Sequence, residues 1–95
     1  MSIITDMHEQ AMDFTDQALE ARRRGDGEQA LELFTRALQE ERAAAEQTPI
    51  NAEPTRSVLY RSAATLALDA GMFREVERLI ATALTGNPPP EIAEE

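Results

Sequence analysis

The 95-residue chain contains no cysteine, no tryptophan and no lysine, and only three Phe, one Tyr and four Gly. Without cysteine it has no disulfides, no thiolate metal sites and no thiol chemistry, and a reducing cytoplasm is the expected compartment. Without lysine, every basic residue is Arg, and 18 acidic residues bring the formal net charge to −9. That balance opposes binding along a phosphate backbone, which needs a basic field to release counterions. With so few aromatics, a chain that is 42% hydrophobic must build its core from Ala, Leu, Ile, Val and Met, which suit close-packed helices. Long apolar runs are missing as well, and MSIITDMHEQAMDFTDQ at the start carries no basic residue. Neither a secretory signal nor a membrane anchor is therefore expected.

What is present is helical period. Met7, Ala11, Phe14, Ala18 and Ala21 recur at spacings of four and three and lead to Arg22, Arg23 and Arg24, which suit a helix C-terminus. Gly25-Asp26-Gly27 breaks the pattern, and Asp26 with Gln29 reads as an N-cap with its capping-box partner. A second stripe of Ala30, Phe34, Ala37, Leu38, Ala44 and Ala45 predicts a helix to about Gln47, supported by the Glu32/Arg36 spacing. Two prolines and an Asn in residues 48–54 disfavour helix and mark a connector. From Thr55, Val58 to Ala70 are apolar around most of the circumference, so the third helix should be the most buried. Gly71 ends it, and Phe73, Val76, Ile80 and Ala83 form the stripe of a fourth helix that stops at Gly86-Asn87-Pro88. The last residues, EIAEE, read as the first turn of a further helix.

Shifting the chain by 46 places superposes Phe14 on Tyr60, Ala18 on Ala64, Ala21 on Ala67, Gly25 on Gly71, Ala30 on Val76, Phe34 on Ile80 and Ala37 on Ala83. The chain therefore reads as all-α, a single helical-repeat domain over 1–95. It has a first hairpin at 11–47, a connector at 48–54, a second hairpin at 55–86 and a tail at 87–95. The order of residues resembles the tetratricopeptide repeat: an aromatic, two small residues, a turn glycine, then Ala, an aromatic and Ala, and a closing proline. Residues 57–90 carry it with Tyr60, Ala64, Ala67, Gly71, Phe73, Ala83 and Pro88. Residues 11–44 depart from it at Gly27 and lack a proline at Arg42, and the offset of 46 exceeds the usual 34. SVLYRSAATLALDAG with NPPPEIAEE is also similar to small bacterial repeat proteins of no established activity.

Catalytic chemistry finds little support in the residues. His8 is the one histidine and reads as a solvated surface side chain. Asp13, Asp16 and Glu20 read as a solvated helix face. Ser57 and Ser62 have no evident histidine partner, and Gly25-Asp26-Gly27 lacks the length and the Lys of a phosphate loop. No catalytic residue, cofactor or metal is expected.

The resemblance implies an inner groove lined by the first helix of each hairpin. It places Met12, Thr15, Leu19, Arg22 and Arg23 beside Val58, Arg61, Thr65, Leu68 and Asp69. The arginines among them suit a partner's acidic peptide, because guanidinium forks bind carboxylates in pairs. The family's clamps for chaperone tails need Lys and Asn where this chain has Thr15 and Leu19. The expected function is a non-catalytic protein-interaction module binding a peptide or helix. The alternative is self-association, as a homodimer, through an uncapped last helix. A nucleic-acid regulator using Arg22, Arg23 and Arg24 is the weakest reading, and no membrane partner is expected.

Overall fold

The computed structural model of the chain describes residues 2–90, and these residues form four α-helices and no strand. They are α1 (Ile3–Arg23), α2 (Gly27–Gln47), α3 (Thr55–Asp69) and α4 (Phe73–Leu84). Helix α1 starts at Ile3, ahead of the expected hairpin boundary at residue 11, because the Ser2 hydroxyl accepts the Thr5 N–H at 3.1 Å and caps it. EIAEE lies outside the described residues.

The two glycine turns are copies of one another. Gly25 and Gly71 have φ of 80° and 72°, the left-handed region that side chains resist. Around Gly25, the Asp26 N–H donates to the Ala21 carbonyl and the Gly25 N–H to that of Arg22. Around Gly71, Met72 donates to Ala67 and Gly71 to Leu68. Both are Schellman closures, 46 residues apart. Asp26 also accepts the Gln29 N–H and caps α2. The return half of the expected capping box does not form, because the Asp26 N–H is already given to Ala21.

Each helix packs on the next in sequence, α1 on α2, α2 on α3 and α3 on α4, and the short dimension of 19 Å is about two helix diameters. Phe34 and Leu38 of α2 are sealed in the middle with Ala18, Ala21, Ala37, Leu59, Ala63 and Ala67 around them. Small residues on α1 and α3 let the axes approach closely. Helix α3 is the most buried, with Leu59, Tyr60, Ala63, Ala64, Leu66 and Ala67 all inside.

The fourth helix differs from expectation. Its face toward the core is Leu79 and Glu75, with Val76 and Ala83 partly covered, whereas Phe73, Ile80 and Leu84 are exposed. The stripe exists at its predicted spacing, but much of it looks outward. A period locates an apolar stripe without saying which neighbour covers it, and α4 is the last of the four helices among the described residues.

Candidate functional site

Three buried charged side chains hold the helices in register, and each is paired. Glu41 on α2 is 0% exposed, accepting a 2.6 Å hydrogen bond from the Ser62 hydroxyl of α3 and lying 2.8 Å from His8 Nδ1 of α1. His8 keeps 43% of its side chain in solvent, as a surface histidine does, but it is not free there as expected: its ring ties α1 to a carboxylate wholly inside the protein. Ser62 likewise has a link to the histidine, through Glu41. The carboxylate stands between hydroxyl and imidazole, so His8 does not face the Ser62 oxygen as a base for nucleophilic attack must. Glu75 on α4 takes Arg42 of α2 at 2.9 Å and Arg78 at 3.0 Å. Arg56 of α3 lies over the Tyr60 ring and donates to the carbonyls of Thr82 at 3.0 Å and Ala83 at 3.2 Å, closing the C-terminus of α4. Among the described residues no buried side-chain polar atom lacks a partner.

The residues expected to line an inner groove are only partly brought together. Arg22 meets Asp69 across the hairpins at 3.5 Å, and its guanidinium also stacks 4.6 Å from the Phe34 ring. Arg23 is bound to Glu20 of its own helix. Arg22 and Arg23 of the expected cationic strip are therefore engaged by the chain's own carboxylates. Met12 and Thr15 are half-buried, and the Thr15 hydroxyl donates to the Ala11 carbonyl. Leu19 and Val58 are exposed.

Arg61, Thr65 and Leu68 belong to a different site, an apolar groove of about 300 Å³ between α3 and α4. Tyr60 and Ala64 line it from α3, and Val76, Ile80 and Leu84 line it from α4. Among the described lining residues Arg61 is the one that carries a charge. Burial pushes the Tyr60 phenol above its ordinary pKa, while the neighbouring Arg56 guanidinium acts the other way. Sequence reasoning found the α3 wall of this groove and assigned the α4 wall to the core. The internal repeat held the missing signal, since the residues 46 places earlier have α3 stacked beside them.

No group of three or more His, Asp and Glu side chains among the described residues is placed to hold a metal ion. No helix among them is long and apolar enough to cross a membrane. Comparison with known protein families, with curated proteins and with solved structures finds no match.

Proposed function

We propose that the chain is a non-catalytic protein-interaction module of the tetratricopeptide-like kind its repeat resembles, and that its docking site is the α3–α4 groove. The observation that carries this reading is the outward apolar wall of α4. Ile80 and Leu84 are about half exposed at the places where the first hairpin has the sealed Phe34 and Leu38. Water-exposed apolar side chains gathered in a concave site favour a docked apolar segment, since covering them returns roughly 25 cal/mol per Å². Arg61 at the rim selects for acid in that segment. A photo-crosslinking residue at position 84 tests the reading in native extract, against the same residue at position 31, an exposed apolar site on α2. Discrete protein adducts from position 84 alone are expected. Equal labelling from both positions, or none from 84, contradicts a docking site there.

Self-association is the second reading, favoured by the same outward row of Phe73, Ile80 and Leu84 on α4. In the crosslinking experiment it gives an adduct of twice the chain mass.

A further inference from the structure

We infer that the occupant of the α3–α4 groove is α4 of a second copy of this chain, so that two copies form a two-fold dimer around a bundle of α3, α4 and their mates. The inference rests on the reading of the groove as a docking site and specifies what docks.

The internal repeat shows what kind of element fits. Phe34 and Leu38 are each 1% exposed, whereas their equivalents Ile80 and Leu84 are 49% and 51% exposed. In the first hairpin the neighbouring element is a helix: α3 packs on α2 and is tied to it by Ser62 and Glu41, and to the end of α1 by Asp69 and Arg22. Because successive helices alternate in direction, α3 runs parallel to α1. Carried forward by 46 residues, the occupant of the second groove is a helix parallel to α3.

Helix α4 meets that description when it comes from a second copy. It is antiparallel to its own α3, and a two-fold axis across α4 sets it antiparallel to the second copy's α4 and hence parallel to the second copy's α3. It carries the apolar row Phe73, Val76, Ile80 and Leu84, with Glu77 inside the same face at positions 73, 77, 80 and 84.

The register follows from the contacts between α3 and α4. Arg56 reaches Thr82 and Ala83, and the chain turns at Gly71, so Arg61 stands near the level of Ile80. An axis through the middle of α4, between Val76 and Ile80, then brings Glu77 of each copy beside Arg61 of the other. The same axis sets Phe73 of one copy against the Leu84 end of its mate. A guanidinium has five N–H donors, so Arg61 accommodates this carboxylate alongside any other contact.

The area is sufficient. Leu68, Phe73, Ile80 and Leu84 leave on the order of 400 Å² of apolar side chain in water per copy. Two such faces with their polar rims reach the roughly 1,200 Å² at which specific interfaces begin. Self-repulsion of two acidic chains is screened beyond about 8 Å at 0.15 M salt, whereas a pair in contact is screened less.

Sedimentation equilibrium of the full chain at 0.15 M salt tests this with charge exchange. A dimer is expected at micromolar concentration. Arg61→Glu and Glu77→Arg each weaken it at least tenfold while circular dichroism stays helical. Mixing the two single variants restores a heterodimer, and the double variant Arg61→Glu/Glu77→Arg restores the homodimer. Weakening by both variants with restoration on mixing identifies this register, because a general charge effect would make Glu77→Arg, which lowers the net negative charge, strengthen the dimer. A monomer at 200 µM overturns the inference and leaves the groove to a foreign segment or to residues 91–95. A dimer indifferent to both charge variants and to Ile80→Glu overturns it too, by placing the interface elsewhere. Failure here together with heterologous adducts from position 84 leaves the docking reading standing, whereas absence of both removes it.

Discussion

A Cβ on Gly86 would stand 2.5 Å from Nη1 of Arg56, the guanidinium that closes the C-terminus of α4. The glycine here is a matter of room rather than of a left-handed backbone. Gly86→Ala must displace a buried guanidinium that holds two carbonyls, and is expected to cost about 1–3 kcal/mol. Arg56→Ala removes both charge-assisted hydrogen bonds and the contact with Tyr60, for about 2–4 kcal/mol. In the Arg56→Ala background Gly86→Ala should cost almost nothing. Urea unfolding of the four proteins in this cycle measures the coupling, and additive losses would separate the two residues.

At Gly25 and Gly71 the constraint is different, because a Cβ there meets nothing within 4 Å and only the positive φ resists a side chain. Gly71→Val is expected to destabilise by about 1–2 kcal/mol and Gly71→Asn by clearly less, since Asn tolerates that region. Gly25 should behave alike. Thermal melts in which Val and Asn are equally costly at both sites would contradict the turn geometry.

These two turns were the most legible part of the sequence. A glycine that follows an apolar helix is a local feature, and its recurrence at 46 residues needs no knowledge of packing; the capping Asp26 does not recur, since Met72 stands at its equivalent and caps nothing with its side chain. Helix ends at Gln47 and Thr55 came out where the prolines of the connector put them. Contacts between distant helices did not come out. His8, Glu41 and Ser62 sit on three helices, and no spacing along the chain announces that they share one carboxylate. Apolar period counts only apolar residues and so does not single out Arg56, although its place four residues before Tyr60 suits a stacked pair. On α4 the period locates the stripe but not its direction, since Phe73, Ile80 and Leu84 face outward. Of the candidate site, Arg61, Thr65 and Leu68 are legible in the sequence, and the wall formed by Val76, Ile80 and Leu84 is not.

His8 supplies a test of the terminal part of α1. Removing its ring leaves Glu41, fully buried, with the Ser62 hydroxyl as its remaining partner among these three residues. His8→Ala is expected to cost about 1–3 kcal/mol, as for a buried acceptor deprived of a donor. Glu9→Ala, an exposed neighbour, should stay within about 0.5 kcal/mol. Chemical denaturation distinguishes them, and equal, small effects would show that the start of α1 is not held.

Tyr60 gives a pH signature that can be followed alone, because it is the one tyrosine in the chain. Burial raises its pKa above the ordinary 10.0, Arg56 opposes the rise and Glu46 adds to it. The folded state therefore holds the phenolic proton more tightly than the unfolded state. Its contribution to stability is whole below the unfolded pKa and drains away as pH rises through the folded one. Tyrosinate absorbance should titrate above pH 10 in the native protein and near 10 in denaturant. A native midpoint at or below 10 contradicts the buried, neutral phenol.

Two equivalent positions differ in their cover: Phe34 is sealed by the fold at 1% exposure, whereas Ile80 is 49% exposed and, in the docking proposal, is left for another chain. The most direct measurement compares the unfolding free energies of Phe34→Ala and Ile80→Ala, both made in the Arg61→Glu background so that association does not mask the result. Phe34→Ala should cost about 3–5 kcal/mol, as for a sealed aromatic, and Ile80→Ala less than about 1 kcal/mol. If Ile80→Ala costs as much as Phe34→Ala, the chain covers Ile80 by itself and the α3–α4 groove is not a docking site.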